Sequence, residues 1–331
     1  MSIDPRDGGG PERAEVRHDT PPERSPAAVL PRHGSGLVAR ILTVVYALVV
    51  TPIATGLLAY GGSALGNYAM SRGYIDASLA QLLTGTAGAR VIIGVGLGIL
   101  LLASVVATGV VSSAGLLAVG GLGLISAVIS AVPGLALQIY QQLSPTVPTE
   151  VLQGISYGLP LVLHPLLGGL GLALVIARRR PAPHLVSSLL GLLLVPAGLL
   201  IAALMLFQGH AAGLNVALMT FSTHIHPLNA VLVVLGALLL YLAAAASRWS
   251  PYALVIPAIV LLLASVGSLL FTIDLIPPAV WNSQAGQAAM TLLFVGGGFA
   301  AAAVMLVHTA VLAIVRARSR RRLRVSAGTA A

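Results

Sequence analysis

The sequence predicts an all-α fold: a polytopic integral membrane bundle of eight transmembrane helices with both termini in the cytoplasm. Eight apolar stretches are each long enough to cross a bilayer, and their apolar cores contain no Asp, Glu, Lys or Arg. The composition agrees, because only 8% of the residues are charged and the mean hydropathy is +0.97, whereas soluble domains are about 25% charged. The third observation is the uneven placement of the 18 basic residues, all of which are Arg.

The eight predicted spans each approach the ~20 residues needed to cross about 30 Å of hydrocarbon. In chain order they cover 38–60, 91–111, 116–138, 155–177, 185–207, 227–247, 252–272 and 289–315. The apolar run from Val91 to Gln138 is too long for one crossing and must fold back. The sequence Ser112-Ser113-Ala114-Gly115 is the favoured turn, and the glycine cluster at 120–123 is the alternative.

The arginines give the orientation through the positive-inside rule. With the N-terminus in the cytoplasm, sixteen Arg fall in inner segments and only Arg72 and Arg90 fall in outer loops. One span more or fewer would move Arg178–Arg180 or the C-terminal arginines to the wrong side. The distribution therefore favours a multi-pass protein of the cell (cytoplasmic) membrane.

Three domains follow from this assignment. Residues 1–36 are rich in Pro, Gly and charge, and are predicted to be a disordered cytoplasmic tail. Residues 37–315 form the transmembrane domain, and 316–331 form a basic cytoplasmic tail. Anionic lipids of the inner leaflet are the expected partner of that tail, at about 1 kcal/mol per Arg near the surface, and no nucleic acid is expected. The tail arginines are Arg316, Arg318, Arg320, Arg321, Arg322 and Arg324.

Proline and glycine mark special positions within the spans. Pro lies in or near the apolar core of each odd-numbered span, where it removes a backbone hydrogen bond and can kink the helix. These prolines are Pro52, Pro133, Pro196 and Pro257. Small residues let neighbouring helices approach closely, and they predict helix contacts at Gly94–Gly98, Gly168–Gly171 and Gly296–Gly298.

A recurring spacing suggests that the eight helices form two parallel four-helix halves. An offset of 144 residues relates three pairs: Arg40 to His184, Pro52 to Pro196, and His164 to His308. The intervening spans drift out of this register, so the repeat rests on these few positions.

His164 and His308 are the candidate polar residues inside the membrane. Paired His residues can ligate haem iron, but two ligands of one iron must lie at nearly the same depth. Counted along their helices at 1.5 Å per residue, the two residues lie ~9–15 Å apart in depth. A hydrogen-bonded packing role is therefore favoured, and no cofactor is predicted.

Polar residues gather instead at the predicted outer face. The candidate recognition residues are His210, His224, His226 and Asp274, from the third and fourth outer loops, which are expected to meet above spans 5–8. A His-x-His pair with nearby carboxylates can bind Zn²⁺ or Cu²⁺. Here the carboxylates are distant in sequence and His224 and His226 would face opposite sides of a strand, so no metal site is predicted.

Catalytic motifs are absent from the sequence. It contains no His-Glu-x-x-His, no Gly-x-Ser-x-Gly, no P-loop and no paired carboxylates in a span, and it contains no Cys. The favoured function is therefore a scaffold or accessory subunit of a cell-envelope or transport assembly, with a membrane-protein partner. A stand-alone transporter or lipid-handling permease is the first alternative, and an outer-face metal or haem protein or enzyme is the second.

Overall fold

The computed structural model describes residues 35–71, 79–179, 185–221, 223, 224, 226–270 and 277–328. Every regular element within these residues is helical. Six helices there are long and apolar enough to cross a membrane, so the chain is a multi-pass membrane protein. They cover Gly36–Ser71, Thr86–Val110, Leu159–Arg179, Leu185–Leu218, Pro227–Trp249 and Gly297–Arg321.

The first half of the chain begins with α1 (Ser35–Ser71), which runs through Pro52 without a break. The following helices of this half are α2 (Leu79–Thr84), α3 (Thr86–Val91), α4 (Leu97–Ala107), α5 (Ala114–Ser130), α6 (Pro133–Leu143), α7 (Thr149–Ser156) and α8 (Leu159–Arg179). A π-helical turn, Ile92–Gly96, joins α3 to α4, and a 3₁₀ turn, Thr108–Val110, ends α4. The second predicted span therefore ends next to the favoured turn at Ser112–Gly115, which is confirmed.

The second half begins with α9 (Leu185–His210) and continues through a π-helical turn, Ala211–Asn215. The remaining helices are α10 (Val216–Thr220), α11 (Pro227–Ala246), α12 (Val255–Leu270), α13 (Pro278–Trp281), α14 (Gln284–Phe294) and α15 (Gly297–Gly328). A 3₁₀ turn, Ser247–Trp249, directly follows α11.

Two predicted spans are interrupted, and the reason in each case is local backbone chemistry. The predicted span 116–138 is broken, because α5 and α6 meet at 110°. Pro133 is the first residue of α6, and Pro disfavours helical backbone in the residue before it. The predicted span 289–315 is divided at Gly296, whose φ is +81° and which separates α14 from α15. The predicted span 252–272 corresponds to α12, which has 16 residues.

The core is centred on α8, which is the most buried of the candidate spans. It packs against α5, α11 and α15, and its buried face is made mostly of Leu and Gly. In contrast, α9 and α12 present rows of exposed Leu, Ile and Val, as lipid-facing helices do. Glycines set the closest approaches, as the small-residue pattern predicted. Gly94 lies against Gly61, and Gly169 lies against the carbonyl of Tyr241.

The two ends of the bundle differ in charge. The basic end is defined by Arg40, Arg178 and Arg318, which line one cavity, and by Arg248, whose carbonyl accepts a hydrogen bond from Arg316 of α15. The opposite end is defined by Arg90 and the α7–α8 connection. Glu150 is the only Asp or Glu among the described residues, and it lies at this opposite end.

Candidate functional site

A cavity of about 770 Å³ opens at the basic end, between α1, the α4–α5 turn, α8 and α15. Four arginines and three serines line it, and its remaining wall is made of Ala, Val, Leu and Gly. The polar lining residues are Arg40, Arg178, Arg179, Arg318, Ser112, Ser113 and Ser319. The volume is within the 300–1,000 Å³ typical of small-molecule sites.

Arg178 is the anchored member of this group. Its Nη1 donates to the Ser113 Oγ at 2.8 Å, and its Nη2 donates to the carbonyl oxygen of Gly109. Gly109 lies close to α8, because a Cβ there would lie 2.6 Å from the Leu174 Cδ1. The close approach of α8 to the α4–α5 turn thus fixes the Arg178 guanidinium in the wall of the cavity.

The α5 helix adds further positive potential to the cavity. Ser112, Ser113 and Ala114 line the cavity where this 17-residue helix begins. The first turn of a helix presents unpaired backbone N–H groups and a partial positive charge. The Ser112 Oγ accepts one of these donors, the N–H of Ala114, at 3.2 Å. The first turn of α5 and the arginines therefore both attract an anion to the cavity.

No carboxylate offsets this charge within the described part of the chain. Glu150 accepts from Arg90, with 2.8 Å between Oε1 and Nη2, and the Arg90 guanidinium lies 4.4 Å from the centre of the Tyr60 ring. A hydrogen bond from its own backbone, and then the Arg90 guanidinium, hold the pKa of the Glu150 carboxyl below its ordinary value. The acid is thus fully engaged at the opposite end.

The predicted outer-face residues do not form one exposed group in the structure. His210 lies within the continuous α9–α10 helix and is only 3% exposed, and its ring Nε2 donates to the Ser156 carbonyl at 2.7 Å. His226 caps α11, where its Nδ1 accepts from the Leu228 N–H. His224 is exposed, and Asp274 lies outside the described residues. Among the described residues, no group of three or more His, Cys, Asp or Glu is arranged to hold a metal ion.

The two histidines that were predicted to lie inside the membrane are on different helices and have different neighbours. His164 on α8 is 7% exposed and packs beside Gly123 of α5, and neither of its ring nitrogens has a hydrogen-bond partner. His308 on α15 is fully buried, and its Nε2 lies 3.4 Å from the Ser247 Oγ near the basic end.

The six tail arginines are not equivalent. Arg316 is 6% exposed and donates to the Arg248 carbonyl, whereas Arg318, Arg320 and Arg321 are exposed on α15. The backbone of α15 continues past Arg322 and Arg324. Of the four whose side chains are described, Arg318 lines the cavity and the others do not. Arg40, Arg178 and Arg179 complete the cavity with it, although the sequence marked them only as inner-side charges.

The chain matches no protein-family model, no curated protein and no solved structure. The candidate site is therefore defined by its own geometry.

Proposed function

We propose that this protein is a membrane protein that binds a phosphate-bearing lipid in the cavity at the basic end. The lipid-handling alternative is thereby favoured over the scaffold or accessory-subunit function, which stays a prediction, as does the outer-face metal, haem or enzyme function. The observation that carries the proposal is a set of four arginines that line one cavity and have no carboxylate partner among the described residues.

The chemistry of the cavity suits an amphiphile. Guanidinium groups bind phosphate through paired, charge-assisted hydrogen bonds, and Ser112, Ser113 and Ser319 supply neutral donors beside them. The apolar wall, which includes Val110, Leu117 and Val315, suits a glycerol backbone and the first part of an acyl chain. A small hydrophilic anion would leave this wall unused.

The proposal includes the orientation of the protein. We propose eight crossings, with both termini in the cytoplasm. The described helices support this, because their ends alternate between the basic end and the opposite end along the chain. In this count the bent α5–α6 pair is the third crossing and α12 is the seventh. The cavity then faces the inner leaflet, whose anionic lipids attract basic groups near the surface.

Binding of phosphatidylglycerol to the purified full-length protein, measured by native mass spectrometry in detergent, tests the proposal. The double variant Arg179→Gln/Arg318→Gln removes two cations that line the cavity. At about 1 kcal/mol per Arg, affinity is expected to fall at least tenfold. The matched control is Arg320→Gln/Arg321→Gln, which removes two exposed cations of α15 that do not line the cavity.

Three outcomes are informative. A selective loss in the cavity variant, with phosphatidylcholine binding weakly to every protein, supports a headgroup site. Equal losses of phosphatidylglycerol affinity in the two double variants would mean that the lipid is attracted by surface charge in general, and this would contradict the proposal. Competition with inorganic phosphate distinguishes the ligand sources, because displacement of the lipid by millimolar phosphate alone would mean that the site recognises a free anion.

A further inference from the structure

The α4–α5 turn and the α11–α12 turn share one arrangement. Each follows a long helix that ends in a 3₁₀ turn, Thr108–Val110 in the first half and Ser247–Trp249 in the second. On the last helix of each half, an arginine at the basic end of the bundle donates its Nη2 to a carbonyl in that turn. Arg178 donates to Gly109, and Arg316 donates to Arg248.

Further features recur in the same register. A serine hydroxyl accepts from the backbone N–H two residues later in both turns: Ser112 from Ala114 at 3.2 Å, and Ser250 from Tyr252 at 3.4 Å. The last helix of each half begins directly after a glycine with positive φ. The pairs Gly109 and Arg248, Ser112 and Ser250, Gly158 and Gly296, and Arg178 and Arg316 are all separated by 138 or 139 residues.

Part of the helix packing repeats as well, although α1 also packs against α5 and α9 does not pack against α12 to a comparable extent. In the first half α1 packs against α4 and α7, and in the second half α9 packs against α11 and α14. The last helix of each half packs against a helix of the other half: α8 packs against α11, and α15 packs against α4. The helices α8 and α15 also contact each other. Reciprocal contacts of this kind are those of a pseudo-two-fold arrangement.

The register of this repeat differs from the offset of 144 that the sequence suggested. At 138 residues, His164 corresponds to Ala302, and His308 corresponds to Leu170. The two histidines are therefore not equivalent residues. The equivalent pair in α8 and α15 is Arg178 and Arg316, and both of these arginines bind a turn at the basic end.

We infer that the chain is built of two equivalent halves and that Arg316 marks a second phosphate-binding site, equivalent to that of Arg178 and closed in this structure. The inference rests on the proposed function of the first cavity. Arg316 is 6% exposed and its Nε has no hydrogen-bond partner. No carboxylate within the described residues faces it, so a buried cation stands without an anion, which is costly unless it is paired.

The difference between the halves lies in the turn. Val110, which lines the first cavity, corresponds to Trp249. The first helix of the second half also closes over this turn, because a Cβ at Gly191 of α9 would lie 2.9 Å from the Trp249 Cβ and 3.3 Å from the Ser250 backbone nitrogen. A large indole, whose ring centre lies 5.6 Å from the Arg248 guanidinium carbon, thus stands in the second half where the first half has Val110, and α9 lies close against this turn.

Replacement of the indole by the residue of the first half tests this. The number of phosphatidylglycerol molecules retained per protein is measured by native mass spectrometry at a lipid concentration that saturates the first site. We expect one lipid in the wild type, two in Trp249→Val, and one again in Trp249→Val/Arg316→Gln. Trp249→Phe, which keeps an aromatic ring, is the matched control and is expected to retain one.

The outcomes separate this inference from the proposed function. A folded Trp249→Val protein that retains the wild-type number of lipids would overturn the second site and leave the first untouched. No lipid in the wild type, with one in Trp249→Val that Arg316→Gln abolishes, would contradict the first site and support the second. Trp249→Leu repeats the measurement if the Val variant does not yield a monodisperse protein, with the same expected gain of one lipid.

Discussion

Gly120 of α5 and Gly168 of α8 pack backbone against backbone: a Cβ at Gly120 would lie 2.4 Å from the Gly168 Cα, and also 3.0 Å from the Tyr241 Cε2. Because α8 is the central helix, this contact determines how closely α5 can approach the core of the bundle. Small residues serve this purpose in membranes, where association depends on packing and not on the exclusion of water.

The first prediction follows from this contact. Gly120→Val should force α5 and α8 apart and destabilise the protein by about 1–3 kcal/mol, the usual cost of overpacking a core. Gly121→Val is the matched control, because Gly121 has no atom within 4 Å of the added Cβ. Thermal unfolding in detergent compares the two variants, and an equal decrease in the midpoint for both would contradict the packing argument.

A second prediction concerns Gly158, which directly precedes α8 and has a φ of +78°. Gly158→Ala places a side chain in left-handed backbone, at a cost of about 1–2 kcal/mol, and its Cβ would lie 3.3 Å from the His210 Nε2. The midpoint of thermal unfolding should fall. Gly96→Ala serves as the control, because Gly96 is helical and open to its surroundings, and it should leave the midpoint unchanged or raise it.

The positions of most helices could be predicted from the sequence, because a run of apolar residues about 20 long has few other structures open to it in a membrane. The breaks were harder to predict. Pro52 and Pro196 lie inside unbroken helices, whereas Pro133 begins a new one. The same residue type thus has opposite outcomes, so a Pro in an apolar run does not by itself predict a break.

The candidate site could be predicted only in part. The excess of positive charge indicated which arginines share one side of the membrane, but not that Arg40, Arg179 and Arg318, from three distant parts of the chain, line one cavity. The sequence predicts a loop at His210, because its apolar run ends near 207. The helix instead continues through a π-helical turn, and the Ser156 carbonyl satisfies the buried ring. Both results depend on tertiary contacts that leave no local pattern.

A third prediction uses the ion pair between Glu150 and Arg90. Since the pKa of Glu150 is lowered in the folded protein, its contribution to stability is fully present above the unfolded pKa, near 4.5. This contribution is lost as the pH falls through the pKa of Glu150 in the folded protein. Glu150→Gln should therefore have a slightly lower unfolding midpoint than the wild type at pH 7, and the difference should narrow as the pH falls below 4.5 and disappear once the pH is below the pKa of Glu150 in the folded protein.

Other acids also titrate in this range, so the difference between the two proteins is the quantity to follow. A gap between wild type and Glu150→Gln that stays constant from pH 7 to pH 3 would show that the effect comes from side-chain shape and not from charge.

The last prediction concerns orientation, and it starts from Arg90. This residue counts against the positive-inside rule when charges are simply summed, but its guanidinium is paired with Glu150. The pair is close to neutral, so the remaining described arginines all lie at the basic end. The rule then assigns the basic end to the cytoplasm.

Because the chain contains no Cys, single-Cys variants report this orientation directly. Thr149→Cys, beside Glu150, and Gln284→Cys, at the start of α14, should react with an impermeant thiol reagent in intact cells, since both positions are exposed. Ser319→Cys, in the wall of the cavity, should react only after the membrane is permeabilised. Reaction of Ser319→Cys in intact cells would show that the orientation is the reverse of the predicted one, with the cavity at the outer leaflet. The predicted preference for anionic lipids of the inner leaflet would then lose its basis.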